Sequence, residues 1–462
     1  MHINRLPELR RRAFLRRASQ LGLAGAAAPW ALNLAALGEA AAADASGGYK
    51  ALVCVFLYGG NDQSNTVVPY DTAGHASYTT LRAGLGLARD TLAATALTPR
   101  LALPGATQLA LAPQLAPLKP WFDNGQMGVL LNVGPLRAPT SKAQYQARSV
   151  PLPPRLFSHN DQQSVWQSNE AEGATRGWGG ALGDLFLASN ATAAFTCIST
   201  SGNAVYLAGD QAIRYQVSTN GAVPINGVKS ALFGSTACQQ ALRSLLTTPR
   251  GHWLQNEITQ VAGRAIDAEA RVAAALAGAS ALQTTFPATG LARQLQVVAR
   301  LIAARGALGA QRQVFMVSLG GFDNHDDLTA NHPGLLTQIG GALAAFQTAM
   351  VELGVANQVT TFTASEFGRT LTSNGNGSDH GWGSHQLLLG GALRGQRFWG
   401  NWPVLANNGP DDVGQGRLIP STGVDQLAAT LARWMGVADS ELARIAPNIG
   451  RFAARDLGLF TA

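Results

Sequence analysis

Three continuous apolar runs, each followed within a few residues by an acid, restrict the fold of this chain more than any other feature. The runs span 50–58, 313–319 and 359–364, and the acids that follow them are Asp62, Asp323 and Glu366. Apolar runs of this length are typical of strands that are buried on both faces. The sequence therefore predicts a sheet whose strand ends carry carboxylates.

Predicted helices alternate with these strands. Amphipathic patterns over 291–305 and 335–353 precede the second and third runs, and 425–434 closes the chain as another helix. Further strands are predicted over 127–133, 194–199 and 386–389. The alternation predicts an α/β fold, a doubly wound, mainly parallel central sheet with helices on both faces. Ligands in such folds bind beyond the carboxyl ends of the strands, so the three acids are expected to converge.

Size and charge narrow the class of protein. The 462 residues are 46% hydrophobic and 13% charged, which is typical of a globular protein with a sizeable core. We predict one domain over 44–462, in which helices at 235–279 could form a cap. The net charge of +7 owes much to six arginines in the first 43 residues. No basic cluster interleaved with aromatic residues follows them, so we expect no nucleic-acid partner.

The first 43 residues have the order of an export signal. Arg11-Arg12-x-Phe14-Leu15 precedes an apolar stretch and four alanines at 40–43. This resembles a twin-arginine signal peptide over 1–43, cleaved after Ala43. It predicts a periplasmic or secreted protein and the twin-arginine translocation machinery as a partner. The alternative is an amphipathic or membrane-anchoring helix. No later stretch is long and apolar enough to predict a stable membrane span.

The three cysteines allow at most one disulfide. Cys54 lies inside an apolar strand, where a buried, reduced thiol is expected. A bond between Cys197 and Cys238 stays open on the sequence alone.

Candidate metal ligands are concentrated between 323 and 385. Four of the eight histidines lie there, His325, His332, His380 and His385, together with Asp323, Glu366 and Asp379. Mixed imidazole and carboxylate ligands suit Zn²⁺, Mn²⁺ or Fe better than Ca²⁺ or Mg²⁺ alone. Structural alternatives remain: an Asp323 turn, a Glu366–Arg369 ion pair and a packed His332. We predict a divalent metal cofactor, one or two ions.

Five motifs carry a resemblance to a known family. They are Phe56-Leu-Tyr-Gly-Gly-Asn-Asp62, Leu156-Phe-Ser-His-Asn-Asp-Gln-Gln163, Gly320-Gly-Phe-Asp-Asn-His325, Ser365-Glu-Phe-Gly-Arg369 and Asp379-His-Gly-Trp382. The chain resembles the family called domain of unknown function fifteen-oh-one, which is grouped with the alkaline phosphatase and sulfatase superfamily. The resemblance implies an alkaline phosphatase-like fold with two metals at strand ends, around a Ser, Thr or Cys nucleophile.

Carried onto this sequence, the resemblance implies metal ligands at Asp62, Asp323, His325, Asp379, His380 and His385. Asp379 lies thirteen residues beyond Glu366, whereas the family's Asp-His-Gly directly follows a strand. Glu366 is therefore expected to replace the usual aspartate as a ligand. The metal, whether Zn²⁺, Mn²⁺, Mg²⁺ or Ca²⁺, is not distinguished.

Catalytic residues are less sharply indicated. Ser158, beside His159, stands in the sequence order of the nucleophile, with a helix N-cap as the alternative role. Arg369 and Arg155 are candidate contacts for an anionic substrate. The sulfatase motif Cys/Ser-x-Pro-x-Arg is missing, because position 153 is proline and the arginine is at 155. Glycine-rich nucleotide-binding loops and a Gly-x-Ser-x-Gly elbow are also missing.

These observations lead to two hypotheses. The first is an exported, metal-dependent hydrolase of phosphate or sulfate esters, acting on a small-molecule or polymer substrate. The second is a non-catalytic exported protein that keeps the fold for binding or envelope assembly.

Overall fold

A computed structural model describes residues 43–44 and 47–461. The predicted twin-arginine motif lies outside these residues. The described chain forms fourteen strands, which are β1 Lys50–Tyr58, β2 Val67–Pro69, β3 Leu109–Leu111, β4 Met127–Gly134, β5 Cys197–Ser199, β6 Tyr215–Ser218, β7 Gly221–Ala222, β8 Arg312–Gly320, β9 Val359–Ala364, β10 Arg369–Ser373, β11 Ser378–His380, β12 Ser384–Leu389, β13 Phe398–Trp399 and β14 Thr422–Gly423.

Most of these strands form one sheet in the order β13-β4-β12-β9-β1-β8-β5-β6-β7, and β14 also pairs with β4. The central strand β1 is parallel to β8 on one side and to β9 on the other. β12 is antiparallel to both of its neighbours. The predicted mainly parallel sheet is confirmed, and the carboxyl ends of β1, β8 and β9 lie side by side.

Twelve α-helices are described, together with short 3₁₀ segments. They are α1 Thr72–Arg82, α2 Lys119–Asp123, α3 Lys142–Ala147, α4 His159–Ser168, α5 Trp178–Asp184, α6 Thr236–Thr247, α7 Trp253–Gly278, α8 Gly290–Ala303, α9 Arg305–Leu308, α10 Leu328–Glu352, α11 Val424–Met435 and α12 Leu442–Ile445.

Alternate residues of β1 belong to two different hydrophobic cores. Val53, Val55 and Leu57 pack in the core that contains α8 and α10. Cys54 and Phe56 pack in the core that contains α5 and α11. This two-sided burial explains why β1 reads as a continuous apolar run, and it confirms helices on both faces of the sheet.

Contrary to the expectation that no later stretch would be long and apolar enough, one described helix, α10, could cross a membrane by length and composition. Just over half of its most apolar window is buried. It packs against α8 and against the 3₁₀ helix Pro113–Leu118, as a core helix does.

Two expectations change in detail. The strand predicted over 194–199 is shorter, because Ala193–Phe195 forms a 3₁₀ turn before β5. Cys197 is buried and Cys238 is exposed, and both are free thiols, so the Cys197–Cys238 disulfide is not formed. Buried, reduced Cys54 is as expected.

The helices predicted at 235–279 are α6 and α7, and α7 packs on β7 at the sheet edge. Their role as a cap stays a prediction.

Candidate metal centre

The candidate site forms at the carboxyl ends of β1, β8 and β9, where glycines let the three chains approach closely. A Cβ atom on Gly59, whose φ is +116°, would lie 2.4 Å from the backbone nitrogen of Asp323. Only glycine fits this contact. The close approach brings Asp323, just past β8, next to Glu366, just past β9.

His159 contributes the first imidazole. It is the first residue of α4, and its Nδ1 lies 2.9 Å from Oε1 of Glu366, so Nδ1–H donates to that carboxylate. Its Nε2 then carries the lone pair and faces Oδ2 of Asp323 at 3.3 Å. Nε2 is buried and has no hydrogen-bond partner within the described part of the chain.

His380, at the end of β11, contributes the second imidazole. Its Nδ1 lies 2.7 Å from the backbone oxygen of Phe157, which can only accept, so this nitrogen carries the proton. Its Nε2 lies 3.3 Å from Oδ1 of Asp323. Phe157 has a φ of +73°, which is strained for a bulky residue and directs its carbonyl at His380.

His325 contributes the third imidazole. Its Nδ1 lies 3.1 Å from Oδ1 of Asp379. Its Nε2 lies 3.1 Å from Oδ1 of Asp323 and 2.9 Å from Nε2 of His380. Asp379 therefore orients His325 from outside the ring, as we call the circle formed by the three Nε2 atoms and the Asp323 carboxylate. Asp379 also accepts a hydrogen bond from Asn374 at 3.1 Å.

The three imidazoles share one arrangement. Each Nδ1 is held by an oxygen atom, so each Nε2 presents a lone pair toward the Asp323 carboxylate. Acceptors that face one another at about 3 Å repel unless a cation lies among them. The ligand atoms of His159, Asp323 and His380 all lie within 4.8 Å of one another. The donor set therefore fits a divalent metal, and the oxygens behind the imidazoles are the outer partners that metal-binding histidines require.

The charges around the site favour the ligand forms of Asp323 and His380, whereas they favour the protonated form of His159. Partial burial opposes ionisation of Asp323, but the Arg369 guanidinium and the nearby histidines hold its pKa below the usual value. Burial lowers the pKa of His380, which favours the neutral imidazole that binds metal. The hydrogen bond to Glu366 raises the pKa of His159 against the effect of burial.

Arg369 holds the Asp323 carboxylate in position through an ion pair. It donates to the backbone oxygens of Gly60 and Phe322 at 3.0 Å each, and to Oδ1 of Asp323 at 2.7 Å. The guanidinium is buried, so it positions Asp323 and does not face solvent. The structure thus gives no support to the predicted anion contact at Arg369. The ion pair with Glu366, which was the structural alternative, is not formed, and Arg369 pairs with Asp323 instead.

Glu366 lies behind His159. It is fully buried, and its Oε1 accepts from the Gly59 amide at 2.8 Å, from Gln163 Nε2 at 3.0 Å and from His159. The sequence located this carboxylate at the right strand end. In the structure it orients His159, and it is not part of the group of candidate ligand atoms formed by His159, Asp323 and His380.

Asp62 and His385 are not brought to the ring. The Asp62 carboxylate forms a buried ion pair with Arg82, and its Oδ1 accepts from the Ser64 amide at 3.2 Å. His385 is buried against Trp402, and its Nδ1 accepts from the Asn132 amide at 3.0 Å. His332 is also buried, bonded to Asn61 at 3.0 Å. These three polar residues belong to the packing under the site.

Ser158 stands between two residues of the site, Phe157 and His159. Its hydroxyl donates to Oδ2 of Asp161 at 2.9 Å, and no side-chain cap bond to the described helix α4 is formed. Arg155, also in this loop, is 75% exposed at its side chain and lies 3.6 Å from Asp161.

Comparison with known proteins gives the family. The model of the family described as "Protein of unknown function (DUF1501)" matches residues 49–446. The chain belongs to the DUF1501 family. No curated protein matches this DUF1501 sequence.

Solved structures similar to this DUF1501 protein are distant. Ps i-CgsB, in complex with k-i-k-neocarrahexaose, is 8% identical with a TM-score of 0.33, over 88% of this chain and 77% of that chain. The lipoteichoic acid synthase LtaP from Listeria monocytogenes is 8% identical with a TM-score of 0.32, over 87% and 75%. BT33494S-sulf, from work on Bacteroides thetaiotaomicron, is 10% identical with a TM-score of 0.34, over 85% and 74%.

One candidate ligand, His159, was not predicted from the sequence. Its motif, Leu156 to Gln163, favours Ser158 as a nucleophile when only the sequence is considered. A polar segment without a preceding strand gives no indication that it will reach the sheet edge. The one sequence feature that could have indicated it is a histidine at the predicted start of a helix.

The Glu366→Gln variant is expected to bind divalent metal about 10–100-fold more weakly, because the neutral amide makes the His159 imidazole a poorer ligand. Competition with a chromophoric zinc chelator measures the change. Glu172→Gln, at an exposed carboxylate, is the matched control. Equal affinity of Glu366→Gln and the parent would contradict a supporting role for Glu366.

Acid is expected to destabilise the metal-free protein through two buried histidines. Burial lowers the pKa of His332 to about 4 and that of His385 to about 3. Both values lie below the pKa of about 6.5 in the unfolded chain. The unfolded state therefore binds more protons below pH 6.5, and stability is lost as pH falls from there toward the folded values, with a slope approaching about 1.4 kcal/mol per pH unit for each histidine.

Urea unfolding between pH 7.5 and 4.5, in the presence of a chelator, measures this loss. His385→Leu is expected to flatten the pH dependence, whereas His252→Gln, at an exposed histidine, leaves it unchanged. An unchanged slope in His385→Leu would count against a neutral, buried His385.

Proposed function

We propose that this protein is an exported, metal-dependent hydrolase of phosphate or sulfate esters. The observation that carries the proposal is the convergence of three imidazole Nε2 atoms on the Asp323 carboxylate, with every Nδ1 held by an oxygen. The grouping of the DUF1501 family with the alkaline phosphatase and sulfatase superfamily supplies the reaction class.

The chemistry of the donors favours one transition-metal ion. Three imidazoles and a carboxylate suit Zn²⁺, Mn²⁺ or Fe, whereas Ca²⁺ and Mg²⁺ prefer oxygen ligands. The second ion of the superfamily would require Asp62 and His385, which are engaged in packing elsewhere. We therefore propose a single ion held by His159, Asp323, His325 and His380.

The residues around the ligands suggest how an ester would be handled. A bound divalent ion would supply Lewis-acid polarisation of the ester. Asp323 is 46% exposed, so one side of the ring is open to a substrate. Ser158 is the proposed nucleophile, and Asp161 already accepts the hydrogen bond from its hydroxyl. Arg155 is an exposed cation near Ser158 that is also paired with Asp161 at 3.6 Å, and its exposed guanidinium suits an anionic group.

A non-catalytic role is the second candidate, and the ligand count favours it. Four protein ligands are typical of closed structural sites, whereas catalytic zinc sites keep one position for water or substrate. In that case the metal would stabilise the site for binding or envelope assembly.

Metal analysis and ester hydrolysis together distinguish the two roles. The purified chain is loaded with Zn²⁺ or Mn²⁺ and assayed with p-nitrophenyl phosphate and p-nitrophenyl sulfate. The hydrolase account expects one ion per chain and turnover that is lost in both Asp323→Asn and Ser158→Ala, with metal retained in Ser158→Ala. Asp326→Asn, at an exposed acid nearby, is the control for both measurements. One bound ion without turnover on a wide ester panel favours the non-catalytic role.

Export is proposed from the N-terminal sequence alone. Replacement of Arg11 and Arg12 by lysine is expected to leave the protein in the cytoplasm of a host with a twin-arginine pathway. Fractionation with a periplasmic marker measures this, and unchanged export would contradict the twin-arginine assignment.

A further inference from the structure

Exposed large apolar side chains are concentrated in one part of the chain. Twelve such residues occur in the described chain, and nine of them lie between 213 and 261. The nine are Ile213, Val223, Ile225, Phe233, Leu245, Trp253, Leu254, Ile258 and Val261. Single exposed apolar residues are normal, whereas a contiguous patch of them marks an interaction site.

These residues belong to one continuous structural unit, here called the apolar surface (213–261). Helix α6 packs along α7, and α7 packs on β7, which pairs with β6. Gln239 of α6 donates to the backbone oxygen of Val228 at 2.9 Å, which ties the helix to the preceding loop. The apolar side chains are therefore presented by a folded unit.

The two halves of helix α7 differ in burial. Its second half is buried through Ile266, Val272 and neighbouring residues. Its first half exposes Trp253, Leu254, Ile258 and Val261, which fall within an arc of about 140° at 100° per residue. Helix α6 beside it has no fully buried residue. The loop before α6 carries Phe233, which is 91% exposed.

The charges around the apolar surface identify its partner. No Asp or Glu occurs from 211 to 256, whereas Arg214, Arg243 and Arg250 do. Lys229 also lies in this range, but it is paired with Glu269 of α7. Glu257 follows, and it is paired with Arg264 at 3.0 Å. A second copy of the chain would present the same positive charge and be repelled. Arginines beside exposed Trp, Phe and Leu on a helical face are typical of helices that lie in a membrane interface.

We propose that the apolar surface docks on an anionic phospholipid bilayer. Phe233, Trp253 and Leu254 enter the boundary between headgroups and acyl chains, and Arg243 and Arg250 contact lipid phosphates. The protein then binds the membrane from one side without spanning it.

Cys238 offers a site-specific test. It lies on α6 and is exposed, whereas Cys54 and Cys197 are buried. An environment-sensitive thiol fluorophore attached to Cys238 of the full chain is titrated with vesicles of phosphatidylglycerol and phosphatidylcholine, or of phosphatidylcholine alone. A blue shift with the anionic vesicles, weakened by salt, is expected. The control carries the fluorophore at Leu101→Cys with Cys238→Ser, and no shift is expected there.

Two paired variants test the contributions separately. Phe233→Gln with Trp253→Gln, and Arg243→Gln with Arg250→Gln, are each expected to raise the lipid concentration for half-maximal shift by about tenfold or more. Leu101→Gln is expected to leave it unchanged. No shift at Cys238, or an equal shift at position 101, would overturn the proposal. A shift without vesicles that accompanies a doubled mass in light scattering would assign the surface to a second copy, and would also overturn it.

Discussion

The Asp323→Asn variant is expected to lose divalent-metal affinity by at least about 100-fold, more than a change in an outer partner of the ligands costs. Each of the three imidazole Nε2 atoms lies 3.1 to 3.3 Å from an oxygen of this carboxylate. An asparagine removes the negative charge that balances the ion. Isothermal titration of the metal-free protein with Zn²⁺ measures the loss.

Thermal unfolding provides an independent readout of the same change. A ligand at 100 times its Kd stabilises the folded state by about 2.7 kcal/mol, so Zn²⁺ is expected to raise the Tm of the parent and of Asp326→Asn. It is expected to leave the Tm of Asp323→Asn nearly unchanged. Equal Zn²⁺-induced shifts in all three proteins would contradict the role of Asp323.

The Arg82→Met variant is expected to destabilise the fold by about 3–5 kcal/mol, because it leaves the Asp62 carboxylate charged and buried without its partner. Both side chains of this pair are almost completely buried. Arg82 also donates to the backbone oxygen of Thr370 at 2.9 Å, a bond that the variant loses. Urea unfolding in the presence of a chelator measures the change.

A double variant separates the ion pair from the metal. Arg82→Met with Asp62→Leu is expected to recover much of the stability, since apolar replacements of both partners remove the unpaired charge. Metal stoichiometry is expected to stay at that of the parent in both variants. Loss of the metal from the double variant would show that Asp62 is a ligand after all.

The fold was largely predictable because its central strands are buried on both faces. β1 and β9 coincide with the predicted runs 50–58 and 359–364, and β8 extends 313–319 by one residue at each end. The direction of β12 was not predictable. After the hairpin of β10 and β11, β12 runs antiparallel to β9. A short apolar run in the sequence does not indicate the direction of its strand.

The position of the candidate site was predictable where its side chains follow strands closely. Asp323 and His325 come directly after β8, so their place at the sheet edge follows from the topology. Asp62 has the same position after β1, but its partner Arg82 lies twenty residues later in a segment with no pattern. Sequence alone could not show that this acid is neutralised by a buried guanidinium.

The roles of Glu366 and His159 depend on side-chain direction. Glu366 was located correctly as an acid after β9, yet whether it binds metal or orients a histidine is decided by where α4 lies. In the sequence, α4 precedes β5 and does not directly follow any of the three strands whose ends form the site. Its placement comes from tertiary packing, which no local spacing encodes.

Anomalous diffraction from crystals of the Zn²⁺-loaded protein tests the metal centre most directly. We expect one anomalous peak, surrounded by the Nε2 atoms of His159, His325 and His380 and by the Asp323 carboxylate, at metal–ligand distances of about 2.0–2.2 Å. A peak at Asp62 or His385, or no peak among the three imidazoles, would contradict the proposed site.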